Sequence, residues 1–494
     1  MKISTTLLSA GLLALLTLAG CEDVITVTPQ SELAPENVLT TQAGLQAVLY
    51  SAYGNFQNQE PSRNRINASE VTTDMAYNTG GGENLFLSQF INFTWDPSLG
   101  TFLGDVWAPY YYAIRDANIV LDNVAGNPAP EATRRLFTAE ARFLRAYSYA
   151  ILYSWYGPVP LRTSSITTKD QARATDEEMR AFIEKELTEC VADLPDPGKE
   201  VAYGRANKGA AYAALAKFLL NTKQWQKAAD VSQSVIGLNY YSLYPSFPGL
   251  FRVENEPNVN TANKEMILVS PCLNVAGYGN WFIAGALPPG FKTSPQVPGF
   301  VWTTAMANFA TQYRLRSAFV NTFDLAKDTR AQLIVRTYVN TAGATIDLAT
   351  TPDNFRSLKY WDNGTLGNNG AADVPLLRYA DILLTRAEAL NEVGGPTEAA
   401  VALVNQVRTR AGLANLPAVD IASAGSFRDA ILRERGWEFV SEGKRREDLI
   451  RHNKFISLAQ ARGVTVANAT KHLLFPIPQS EIDANQLAVQ NPGY

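Results

Sequence analysis

The sequence predicts a mainly α chain, in which helical hairpins form a scaffold for a loop-rich half containing a few short strands. Three observations carry that prediction. Long segments repeat apolar residues at intervals of three and four, the spacing of one helix face. Two pairs of such segments are separated by only a tight break, which makes antiparallel hairpins. Between Tyr240 and Pro375 the periodicity fails, and Gly, Pro, Asn and Thr punctuate short apolar runs. With 494 residues, 46% of them apolar, the chain has ample material for a large buried core.

Residues 1–20 read as an export signal. One cation, Lys2, precedes an apolar run from Leu7 to Leu16, and Leu18-Ala19-Gly20 ends on Cys21. The run is short of the roughly 20 apolar residues a spanning helix needs. Cleavage before Cys21 would free its amine and leave its thiol for acylation, and two or more acyl chains anchor stably. Leu-Ala-Gly-Cys therefore reads as a lipobox, with the mature chain 21–494 forming a single domain. Residues 22–36 read as an extended tether containing Pro29 and Pro35.

The first helix is predicted to start near Thr40-Thr41, where a threonine hydroxyl can cap, with Ala43, Leu45, Val48, Leu49 and Ala52 on one face. A further helix carries Trp107, Tyr110 and Tyr112 as core residues. A long one runs from about Ala132 to Tyr156, with Phe137, Leu144, Tyr147, Ile151 and Trp155 on its face and Gly157-Pro158 at its end. A hairpin follows, Asn207–Thr222 and Trp225–Val235, its first helix crowded with small residues that permit close packing. A second spans Tyr379–Val393 and Thr397–Ala411 around Gly394-Gly395-Pro396, and a last helix runs from Ser426 to about Leu449. Unevenly spaced antiparallel pairs of this kind have the character of tetratricopeptide-type repeats. The scaffold thus occupies mainly 40–236 and 376–460. The loop-rich region, mainly 240–375, contains strand-like runs at Met266–Val269, Leu333–Tyr338 and Ser357–Trp361.

Composition narrows the chemistry. The formal charge is −4, and loss of Lys2 leaves 42 basic against 47 acidic residues, a net of −5. Charges of both signs are dispersed, so the chain has no electrostatic footprint for nucleic acid. Beyond Cys21 the cysteines are Cys190 and Cys272, one potential disulfide. The two histidines, His452 and His472, sit near the C-terminus without HExxH or Cys-x-x-Cys spacing, which disfavours a zinc site or a Ser-His-Asp triad. No metal, cofactor or catalytic residue is expected.

Four segments together resemble the SusD/RagB family of outer-membrane nutrient-binding lipoproteins. They are Ala139-Glu-Ala-Arg-Phe-Leu-Arg-Ala-Tyr147 with Tyr156-Gly-Pro-Val-Pro-Leu161, and Leu377-Arg-Tyr-Ala-Asp-Ile-Leu-Leu384 with Ala387-Glu-Ala-Leu-Asn391. The third is Asn405-Gln-Val-Arg-Thr-Arg-Ala-Gly412 with Glu434-Arg-Gly-Trp-Glu-Phe439 and Glu442-Gly-Lys-Arg-Arg-Glu-Asp-Leu449. The last is Phe475-Pro-Ile-Pro478 with Gln490-Asn-Pro-Gly-Tyr494. They run in family order across nearly the whole mature chain. Their polar residues read as structural: Glu434, Glu438 and Arg445 on one helix, and Arg378 and Asp381 pairing on another's surface.

The resemblance implies a non-catalytic protein held at the outer membrane, facing the cell surface, by lipid on Cys21. It implies a glycan ligand and a TonB-dependent SusC-like transporter as partner. Glu22-Asp23 resembles the acidic signal for surface export. A peptide ligand on the same architecture and a two-carboxylate glycoside hydrolase are the alternatives.

For a sugar, flat aromatic faces complement C–H patches, and amides or carboxylates bind hydroxyls. Two segments offer both. Segment 274–302 contains Tyr278, Trp281 and Trp302, and segment 70–95 contains Asp74, Tyr77, Asn84 and Phe86. These seven are the expected carbohydrate-binding residues where the segments meet. Trp95, Phe282 and Phe291 are expected in the core.

Overall fold

The computed structural model describes residues 38–57, 59–78, 82–167, 169–310 and 313–494. The predicted signal 1–20, Cys21 and the tether 22–36 lie outside the described residues. Thr41 caps the first helix, α1 (Gln42–Phe56), its hydroxyl accepting the Gly44 N–H at 3.0 Å. After α2 (Gln59–Val71), β1 (Ala76–Tyr77) and α3 (Asn84–Asn92) comes α4 (Gly100–Asn123), which packs between α1 and α5 (Glu131–Tyr156). Trp107 and Tyr110 are buried there, whereas Tyr112, expected in the core, is 49% exposed. Two positions beyond Tyr110 is more than half a turn of helix, so the ring faces outward.

Helix α6 (Asp176–Glu189) begins at a reciprocal cap between Thr175 and Glu178 and buries Met179, Ile183 and Leu187. Then α7 (Lys208–Asn221), capped by Asn207, pairs with α8 (Trp225–Gly237). Its alanines 210, 211, 213 and 214 are buried, as close packing requires.

The loop-rich half is a set of small antiparallel ladders. Strand β2 (Met266–Ser270) precedes β3 (Phe291–Thr293), β4 (Arg314–Leu315), β5 (Ile334–Val335), β6 (Thr337–Asn340), β7 (Thr345–Asp347), β8 (Arg356–Ser357) and β9 (Val374–Arg378). Pairing β2 with β9 closes this half at its base. Strands β3, β6 and β7 form one sheet, β5 pairs with β8, and β4 pairs with β1 of the scaffold. From β9 the chain passes into α9 (Tyr379–Gly394), which packs on α8, and then α10 (Glu398–Arg410). Phe427 and Ile431 join Leu383, Leu384 and Val404 in a second core under α9 and α10.

The predicted helix 426–449 is two helices, α11 (Ala424–Glu438) and α12 (Arg445–Arg451), followed by α13 (Phe455–Ala461) and α14 (Gln479–Ala484). The break contains Ser441 and Gly443 with φ of 63° and 72°, left-handed values that end a right-handed helix. The carboxylate of Glu70 on α2 holds it, accepting the N–H of Ser441 at 3.2 Å and of Gly443 at 2.8 Å and the hydroxyl of Tyr313. Arg445 therefore does not share a helix with Glu434 and Glu438. It makes a bidentate pair with Asp74, both contacts near 2.9 Å and 2.8 Å.

Nor do Arg378 and Asp381 pair on a surface. Arg378 ends β9 fully buried, 2.7 Å from Glu265, 2.6 Å from Glu438 and 2.8 Å from Glu442. Arg410 also meets Glu265 and Glu438; Arg330 meets Asp328, Glu434 and Glu438; Arg408 meets Glu434; Lys359 meets Glu442. Five cations and five carboxylates thus neutralise one another inside the protein. Although burial opposes its charge, Arg410, Arg378 and Arg330 hold the Glu438 carboxyl far below the usual range. Asp381 instead pairs with Arg435 and Lys444. The family-like motif residues are the electrostatic joints between scaffold and loops. Cys190 and Cys272 are buried and free.

Candidate functional site

Two arms of backbone grip a hairpin at 361–370. Its turn is closed by reciprocal bonds between Leu366 and Asn369, at 3.0 and 2.9 Å, with Gly367 at φ 59°. Asp362 shapes it from inside: one oxygen accepts the Gly364 N–H at 2.8 Å, the other the Ala371 N–H at 2.9 Å. On one side Asn280 exchanges backbone bonds with Gly370, at 2.8 and 3.1 Å. A Cβ on Gly279 would sit 2.2 Å from that of Asn369, so only glycine permits this approach. On the other side Ala307 and Gly367 donate to Gly367 and Ala305, and the Asn363 side chain bonds both Gly299 and Val301.

The base is locked by aromatic and buried polar groups. Arg252 lies 4.0 Å from the Trp361 ring centroid and donates to the carbonyls of Lys359 and Trp361. Trp361 packs on Phe300, which stacks on Phe291 and so on Tyr338. Beneath, Asp373 accepts the Cys272 N–H at 2.8 Å and the Tyr203 hydroxyl at 2.5 Å, and its own N–H donates to Glu256. Burial pushes both carboxyl pKa values up, and for Glu256 the neighbouring Asp373 charge adds to it.

The rim of this assembly is aromatic, aliphatic and rich in amides. Tyr278 is 60% exposed, and Leu273, Val275, Val301, Phe309 and Leu366 are exposed with it. Trp281 is half-buried, its indole N–H donating to Asn369 Oδ1 at 2.9 Å. Trp302 is half-buried against the core; its backbone N–H donates to the Lys292 carbonyl at 2.9 Å, and the Lys292 ammonium donates to its carbonyl at 3.2 Å. Asn274 bridges to Gly364 at 2.9 Å, and Asn308 to Pro288. Faces for C–H patches and amides for hydroxyls thus share one exposed surface.

Tyr278, Trp281 and Trp302 of the expected set come together at this hairpin. Each of the other four is placed by partners of its own. Asp74 is engaged by Arg445, the Tyr77 ring lies under Arg316 at 5.0 Å, Phe86 packs 6.4 Å from Phe102, and Asn84 is the first residue of α3. Segments 70–95 and 274–302 connect through Tyr313, whose ring meets Phe282 at 4.8 Å and whose hydroxyl meets Glu70. Trp95, Phe282 and Phe291 are buried as expected. The residues missed were Asn363, Leu366 and Asn369. An Asn/Gly-rich run after a strand signals a turn, but pairing with a segment 88 positions away leaves no local trace.

Comparison with known proteins adds to this geometry. A model of the SusD family matches residues 326–494, and a SusD-like model described as starch-binding associating with outer membrane matches residues 26–220. A SusD-like protein P2 of Formosa agariphila is 27% identical over 97% of this chain and 98% of its own length. The starch-binding protein SusD of Bacteroides thetaiotaomicron is 25% identical over 87% of this chain and 85% of its own. Among solved structures, a laminarin-binding SusD-like protein superposes with a TM-score of 0.77 at 26% identity, covering 92% of this chain and 100% of that one. Surface glycan-binding protein A of Bacteroides thetaiotaomicron, solved with laminarihexaose, shares the fold with a TM-score of 0.73 at 21% identity over 92% of this chain and 100% of its own. The chain is thus similar to a SusD family model over its C-terminal third and to a SusD-like model over most of its N-terminal half, and it shares the mainly helical architecture of a laminarin-binding SusD-like protein over 92% of its length.

Proposed function

We propose that this protein is a surface glycan-binding component of a nutrient-uptake system. It captures an oligo- or polysaccharide on the rim around hairpin 361–370 and passes it, unaltered, to a TonB-dependent transporter of the SusC type. The observation that carries the reading is the rim itself, where Tyr278, Trp281 and Trp302 surround a hairpin presenting Asn363 and Asn369. Relatives named for starch, laminarin and surface glycan binding support the ligand class. Attachment to the outer membrane rests on Cys21 and on the description of the family model matching 26–220.

Turnover is not part of the reading. Glycoside hydrolysis needs two carboxyl groups free to serve as acid and as base or nucleophile, about 5–9.5 Å apart. Asp362, the acid of the hairpin, has both oxygens engaged by backbone N–H groups, and Asp373 and Glu256 lie beneath the loops.

The test is an array carrying starch and β-glucan oligosaccharides beside a peptide set, probed with residues 22–494, with reducing-end detection on every glycan that binds. Glycan binding without new reducing ends is expected. Binding of peptides alone, or release of reducing ends, overturns the reading.

A further inference from the structure

A cavity lies away from the hairpin, inside the helical scaffold. It is bounded by α5, α7 and α12 and has a volume of about 330 Å³. That is at the low end of the roughly 300–1,000 Å³ typical of small-molecule sites. Exposed Lys223 and Asn453 stand among its lining residues, so it opens to solvent. Its lining combines apolar and aromatic residues, among them Tyr147, Ile151 and Phe218, with charged ones.

The charges are not balanced within it. Three charged lining residues are neutralised from outside: Lys444 by Asp381, Arg451 by Glu388 and Asp448, and Glu442 by Arg378 and Lys359. Arg65, Lys217, Lys223 and Glu447 remain. Glu447 is fixed by the Ser154 hydroxyl at 2.6 Å, the Asn221 amide at 3.1 Å and Lys217 at 3.3 Å. Arg451 orients Asn221 by donating to its Oδ1 at 2.7 Å. Among the described residues, Arg65 makes one hydrogen bond, to the Tyr110 hydroxyl at 2.7 Å, and no carboxylate pairs with it. Two cations, Arg65 and Lys217, with exposed Lys223 also in the lining, thus stand against one fixed anion in a partly desolvated space. A guanidinium there has donors to spare, and charge-assisted bonds to a carboxylate or phosphate are the strong ones.

We propose that this scaffold cavity binds a small amphiphilic anion, an acidic head group on an aromatic or aliphatic body. The head would meet Arg65 and Lys217, and the body would lie against Tyr147 and Phe218. The site shares none of these residues with the hairpin rim, so it stands whether or not that rim binds glycan.

The test is calorimetric titration with 3-phenylpropionate, hexanoate and phenyl phosphate, with neutral 3-phenylpropanamide as control. At least one anion is expected to bind, and the matched amide at least about tenfold more weakly than the acid. Arg65→Met should weaken anion binding by about tenfold or more, whereas Glu447→Gln, which removes the competing charge, should strengthen it. The opposite signs separate a binding role from loss of fold, and Glu447→Gln suffices alone if Arg65→Met does not fold. No binding of any of the three acids at millimolar concentration, equal binding of acid and amide, or weakening by Glu447→Gln overturns the proposal.

Discussion

Arg378 shows how much of this fold is settled by single side chains. Its guanidinium is fully buried against Glu265, Glu438 and Glu442, and without it the cluster keeps four cations against five buried carboxylates. Removing one partner of a buried pair leaves uncompensated charge, which costs about 3–5 kcal/mol. Arg378→Met is therefore expected to lose at least that much stability in urea denaturation; a loss below about 1 kcal/mol would contradict the joint described above. Glu70 behaves in the opposite sense with pH. Burial, opposed mainly by Tyr313 and the Gly443 N–H, raises its pKa from the ordinary 4.5 to about 7. The folded state then binds the proton more tightly than the unfolded one. Stability contributed by this group is fully present below pH 4.5 and is lost as pH rises to about 7. Glu70→Gln, which cannot titrate, should flatten the wild-type decline in stability between those pH values. Parallel stability–pH curves for the two proteins would show that Glu70 is not the titrating group.

Elements repeat the lesson at a longer range. Helices with an apolar face and a polar cap were legible: Thr41, Asn207 and Thr397 cap where their positions suggest, each accepting an N–H three residues on. Helix α6 was also written locally, in Thr175-x-x-Glu178 before Met179, Ile183 and Leu187, but periodicity alone did not single it out. The break after α11 was not legible, because Glu70, Tyr313 and Ser441 are distant in sequence and meet only in the fold. The site divides in the same way. Large aromatics in a Gly-rich stretch pointed to Trp281 and Trp302, whereas hairpin 361–370 is defined by tertiary pairing with Asn280, Ala305 and Gly299. Asp362→Ala removes the acceptor for two backbone N–H groups of that hairpin. It is expected to cost about 1–3 kcal/mol of stability and to weaken glycan binding, with the secondary structure seen by circular dichroism unchanged. Unaltered glycan affinity in this variant would mean that the hairpin does not organise the rim.

For the whole molecule, the proposed function assigns rigidity to the scaffold, recognition to the loops and location to a lipid on Cys21. Cys21→Ser should release the protein from the outer-membrane fraction; normal fractionation of that variant would remove the lipid anchor from the account. Beside the proposed SusC-type transporter, tethering would raise effective concentration, so a modest affinity for it would suffice, and the two should co-purify in mild detergent. The central claim is capture at the rim, and titration of one bound oligosaccharide against wild type, Trp281→Ala and Trp302→Ala tests it most directly. Each substitution removes one aromatic face and should weaken binding by about 1–3 kcal/mol, roughly 5- to 150-fold in Kd, with Tm nearly unchanged. Wild-type affinity in both variants would contradict the account.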